Sequence, residues 1–103
     1  MLEGKWMFVS KTINHHYLDK DNINITPASS GDYFSFTTDG KLLLRLLGFD
    51  DNSTYSILPN NKILLYGADT FDIKTLSATQ LILYRKDVVA AENYYEETYT
   101  FQK

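Results

Sequence analysis

Asp39-Gly40 is the residue pair that most narrows what this chain can fold into. It lies between two β-rich runs, and together they form the stretch DYFSFTTDGKLLLRLLGF over residues 32–49. An Asp-Gly pair flanked in this way is the strongest short-range signal for a β-hairpin. The turn type then decides which side chains share a face. A two-residue turn sets Phe36 opposite Leu43. A three-residue loop, Thr38-Asp39-Gly40 with glycine in the left-handed bulge position, sets Phe36 opposite Leu42 and Phe34 opposite Leu44. The second choice collects Phe34, Phe36, Leu42, Leu44 and Leu46 on one apolar face. It leaves Leu43 and Leu47 facing outward beside Arg45.

The same alternation recurs along the chain. Residues 4–14 read as a strand, with Trp6, Phe8, Ser10, Thr12 and Asn14 on the inward face. Further strands are expected at 53–58, 62–66, 70–75, 80–86 and 93–102. Their inward residues are Tyr55 and Ile57, then Ile63 and Leu65, then Phe71 and Ile73, then Leu81, Leu83 and Arg85, and finally Tyr95, Glu97, Tyr99 and Phe101. With 32–37 and 41–49 this makes eight. Only residues 15–31 lack a pattern, and they read as one long loop, the kind that in a small domain is functional or mobile.

Eight short strands with short connections fit a sheet that closes on itself, because closure removes exposed edges. A two-sheet sandwich shares the alternation but needs a longer crossover. The expected fold is all-β, an eight-stranded antiparallel up-and-down barrel in a single domain spanning 1–103. A chain of 103 residues carries one modest core. The eight Tyr and six Phe suit strands with half-wet positions. The net charge of −3 comes with no basic stripe, which argues against nucleic acid as a partner. There is no Cys, hence no disulfide or thiolate metal site. No apolar run is long enough to span a bilayer, and no signal peptide opens the chain.

Several pieces, taken in order, are similar to a known group. They are Gly4-Lys5-Trp6, Phe36-x-x-Asp39-Gly40, Tyr55-Ser56-Ile57, Phe71-x-Ile73-Lys74-Thr75-Leu76, Leu81-Ile82-Leu83 and Tyr99-Thr100-Phe101. In this order and spacing the chain resembles the small bacterial lipocalin-like domains of the calycin superfamily. The resemblance implies a barrel with one closed and one open end. It implies that Trp6 plugs the closed end with a cation across the indole, for which Lys103 is the nearest candidate. It also implies an extracytoplasmic setting and a binding module of unassigned activity.

The meander assigns residues 15–31, 48–53, 67–69 and 86–93 to the open end. The candidate ligand-binding residues at that mouth are Asn14, Tyr55, Phe71, Arg85, Tyr95 and Glu97, polar groups over an apolar floor. Arg85 and Glu97 face inward on neighbouring strands. Either Arg85 anchors a carboxylate with Glu97 holding it, or the two pair and seal the barrel. The interior is either a cavity for a small apolar or amphipathic ligand or a core filled by aromatic side chains. Adjacent His15 and His16 point oppositely and do not chelate one ion together. The segment DKDNIN lacks the glycine and distal glutamate of a calcium loop, so no metal or other cofactor is expected. No triad or paired acid is recognisable, and no enzyme is expected. Leu43 and Leu47 are either a homodimer surface or ordinary surface hydrophobes.

Overall fold

The computed structural model describes residues 2–103. They form nine strands: β1 (Gly4–Tyr17), β2 (Lys20–Pro27), β3 (Tyr33–Phe36), β4 (Lys41–Leu46), β5 (Phe49–Leu58), β6 (Lys62–Leu65), β7 (Asp69–Leu76), β8 (Gln80–Ala90) and β9 (Asn93–Gln102). From β3 to β9 each strand pairs antiparallel with the next, while β1 pairs with both β3 and β9. The result is a closed eight-stranded up-and-down barrel, with β2 as a ninth strand outside the ring.

The first hairpin forms in the register that the three-residue loop requires. Phe36 faces Leu42 and Phe34 faces Leu44. Gly40 takes φ +84°, a left-handed conformation that costs glycine nothing. Thr37 Oγ1 accepts from the Lys41 amide at 2.9 Å and its hydroxyl donates to Asp39, which pins the loop.

The barrel core is dense with rings. Trp6, Phe8, Phe34, Phe36, Phe71, Tyr99 and Phe101 are buried with Leu42, Leu44, Ile63, Leu65, Leu81 and Leu83. Phe34 and Phe101 lie 4.8 Å apart between centroids, and Phe71 and Tyr99 lie 5.2 Å apart. At the closed end the Trp6 indole donates to the Leu2 carbonyl at 2.8 Å. Lys103 Nζ lies 4.4 Å from the indole ring, in the place expected of it. Gly4 makes room for that lysine, since a Cβ there would sit 3.3 Å from Lys103 Nζ.

Residues 15–31 are not one loop. β1 runs on to Tyr17, turns over Leu18 and Asp19, and returns as β2, pairing from Tyr17–Lys20 down to Ser10–Pro27. The polar, Asx-rich composition of β2 hid it, because all eight of its residues are exposed and none needs to be apolar. Residues 86–93 are likewise strand up to Ala90, and Phe49 begins β5 after a tight turn at Leu47-Gly48.

A β-bulge in β1 overturns part of the expected facing. Phe8 is opposite Phe101, but Ser10, not Val9, is opposite Thr100. One extra residue in one strand reverses the alternation beyond it. Lys11, Ile13 and His15 therefore share the inner face with Tyr99, Glu97 and Tyr95. Thr12 and Asn14 share the outer face instead of the inner one.

The wall is uneven in height. β1, β8 and β9 have 14, 11 and 10 residues, against 4, 6 and 4 in β3, β4 and β6. The four strands β8-β9-β1-β2 thus project beyond the barrel as a free sheet. The molecule measures 42 × 32 × 24 Å as a consequence.

Candidate functional site

The open end is built on one buried carboxylate. Asp32, 1% exposed, accepts from the amides of Ser29 at 3.0 Å, Leu47 at 2.8 Å and Gly48 at 3.2 Å. Its own carbonyl accepts from the Phe8 amide at 3.0 Å. This residue fixes the segment after β2 and the β4–β5 turn against β1. Burial pushes its carboxyl up, but the three amides and the charge of Arg45 outweigh burial and hold it below its ordinary value.

Inside the mouth, Arg85 reaches Glu97 at 3.3 Å and Asp69 at 3.8 Å, with its guanidinium 5.9 Å from the Phe71 ring centroid. Burial works against the charge of Arg85, and the bond to Glu97 wins, raising its pKa. The pair is made across directly opposed positions of β8 and β9. Arg85, Glu97 and Phe71 are therefore together, as their strands required, with Arg85 occupied by the chain's own carboxylates. Beneath them burial raises the Tyr99 hydroxyl to about 12, and Tyr66 is pushed up further still.

The other three candidate residues lie apart from this cluster. Tyr95 is on the same face but farther out on the projecting sheet, stacked on His15 at 4.2 Å between centroids. His15 Nε2 in turn lies 2.9 Å from Asn93 Oδ1. Asn14 is on the outer face, where its amide donates to Asp21 at 3.3 Å and to Glu96 at 3.2 Å. Glu96 also accepts from the Tyr84 hydroxyl, and burial together with that bond raises Tyr84 to about 12. Tyr55 lies at the closed end and not at the mouth. β4 begins at Lys41, opposite Thr54, so residues 55–58 of β5 run past the end of their neighbour. The Tyr55 ring packs edge-on to Phe36, 5.0 Å away, and its hydroxyl donates to the Thr37 carbonyl. The same overhang leaves Ile57, expected inside, 59% exposed.

The residues weighed for metal binding form the tip of the β1–β2 hairpin. His16 Nδ1 lies 2.8 Å from Asp21 and its ring stacks on Tyr94 at 4.6 Å. Among the described residues no group of three or more His, Cys, Asp and Glu side chains is arranged to hold a metal ion. Leu43 is exposed on the outer wall of β4, whereas Leu47, with φ +52°, is turned to the rim of the mouth beside the strongly exposed Phe49. They do not form one continuous patch along a strand.

Three features escaped the sequence. β2 is the first. Lys11, assigned outward by alternation, is the second, because the bulge at Val9 has no signature in a run of strand formers. Asp32 as a buried lock is the third; a single Asp at the start of an expected strand gave no signal of it. Comparison with protein-family models, with curated proteins and with solved structures finds no match.

Proposed function

We propose that this protein is an interaction domain whose barrel is a filled scaffold and whose working surface is the projecting sheet, with β2 taking an extended segment of a partner protein as a further strand. The observation that carries this reading is the unpaired edge of β2. The Ala28 amide donates to the Val9 carbonyl, so by alternation the even-numbered residues of β2 point toward β1. The amides and carbonyls of Asp21, Ile23 and Ile25 then point away from the sheet. Ile23 and Ile25, 60% and 67% exposed, share its outer face. An unpaired strand edge that also exposes two isoleucines is a template for further pairing, and strand addition is the mode of recognition such an edge serves.

The packing supports the scaffold half of the reading. Seven buried rings occupy a barrel of a size that side chains can fill. The chain is read, on this proposal, as a binding module without catalytic activity. Its kinship with small lipocalin-like domains is supported by the up-and-down closure, the buried Trp6 and the cation of Lys103 across it.

A peptide-display selection on the immobilised protein tests the proposal, with Ile25→Pro selected in parallel. That substitution removes one outward amide and no bond to β1. Peptides with alternating β-branched residues that bind the natural chain and not Ile25→Pro are expected. Equal recovery on both, or saturable 1:1 uptake of a long-chain fatty acid, rejects the reading.

A further inference from the structure

A concavity lies at the mouth, between the inner face of β1 and the β4–β5 turn. It is a recess of about 100 Å³ lined by Phe8, Lys11, Thr26, Leu46, Leu47 and Tyr99. The bulge at Val9 creates it by turning Lys11 inward, and Asp32 holds Leu47 in place as its far wall.

The lining is apolar save for Thr26 and one ammonium. Lys11 Nζ lies 5.5 Å from the Tyr99 ring centroid, and no hydrogen bond or ion pair engages it among the described residues. Two carboxylates of that face, Glu97 and Asp69, are both held by Arg85. A cation on an apolar recess, with two carboxylates of that face tied to Arg85, is complementary to an anion that carries a small apolar body.

We propose that this recess binds a short aliphatic carboxylate, its carboxylate on Lys11 and its hydrocarbon against Phe8, Leu46 and Tyr99. Volume sets the class. A cavity of about 150 Å³ holds benzene, so about 100 Å³ takes roughly four aliphatic carbons and excludes long chains. The carboxylate stays at the rim, where Lys11 and solvent share it. This site is independent of the β2 edge, since its residues face the inner side of the sheet.

The test is an NMR titration of the full chain with isovalerate, read on the methyl groups of Leu46, Leu47 and Thr26. Saturable shifts with a Kd of about 1 mM are expected, the range open to a ligand of so few atoms. Isopentanol, the same body without charge, is expected to bind at least about tenfold more weakly. Lys11→Met keeps the aliphatic stem and should weaken isovalerate by a similar factor. Thr26→Trp, at an exposed position, should fill the recess and abolish the shifts. Lys5→Met, whose ammonium lies over Tyr33 elsewhere, should change nothing. Linear, unsaturable shifts, or equal binding of isopentanol, or unchanged binding by Lys11→Met, overturn the proposal. So does tighter binding of palmitate than of isovalerate.

Discussion

The two ends of this barrel solve opposite problems with the same kind of strand. At the closed end the rings are capped by their neighbours: Trp6 is covered by Leu2 and Lys103, and Phe36 by Tyr55. At the open end β1, β8 and β9 run on after their neighbours have stopped, and their inner faces meet solvent. There the side chains pair laterally along the sheet, His15 on Tyr95, Arg85 on Glu97, His16 on Tyr94. The difference teaches that closure supplies the stability, whereas the projecting sheet is free to be specialised because little of the core depends on it.

The largest effect comes from truncating one ring in the barrel and one on the projecting sheet. Phe34→Ala, in the centre of the closed barrel, should cost about 4 kcal/mol by urea denaturation, the usual price of a large buried ring. Tyr17→Ala, on the exposed tip, should stay within about 0.5 kcal/mol. Comparable losses at both sites would mean that the projecting sheet is part of the cooperative core.

Asp32 lies between the two regimes. Asp32→Ala orphans three amides and should cost about 3 kcal/mol. The pH dependence follows from the same bonds. The folded carboxyl titrates below the ordinary 3.8, so its contribution is complete above that value and is lost as pH falls through the lowered one. Urea midpoints of the natural chain should therefore decline below pH 4, and those of Asp32→Asn should decline less steeply. Parallel curves would remove Asp32 from the account.

His16 offers a smaller, local effect of opposite sign. The hydrogen bond to Asp21 raises it above its ordinary 6.5 against the opposing effect of burial, and Glu92 adds to the rise. Its contribution is present below pH 6.5 and fades as pH rises through the raised value. Amide protection factors at Asn22 and Asn24 should fall across that interval, and should be flat in His16→Gln. Global stability should hardly move, since the group is on the surface.

Much of the barrel was legible in local pattern. The Asp39-Gly40 loop and the two apolar faces it joins fixed the register of β3 on β4, and the alternation of 70–75, 80–86 and 93–102 placed Phe71, Leu83, Arg85, Glu97 and Tyr99 inward. These inferences succeed because facing has a period of two and burial is one-sided. The candidate site was legible only in part. Arg85, Glu97 and Phe71 do converge, but Asn14 is carried to the outer face by the bulge, and Tyr55 is carried to the closed end by the overhang of β5. Both errors come from assuming that alternation and strand ends continue undisturbed.

Alternation, tight turns and the choice of rings for the inner face can be read from the chain alone, because they depend on neighbours a few residues apart. Long-range pairing sets where β1 bulges, makes a polar segment into β2, and turns Lys11 rather than Asn14 into the mouth. The physical reason is that one strand, β1, must match three partners at once, β3, β2 and β9, and the position of its extra residue is set by pairing with Thr100 and Phe101, more than ninety residues away.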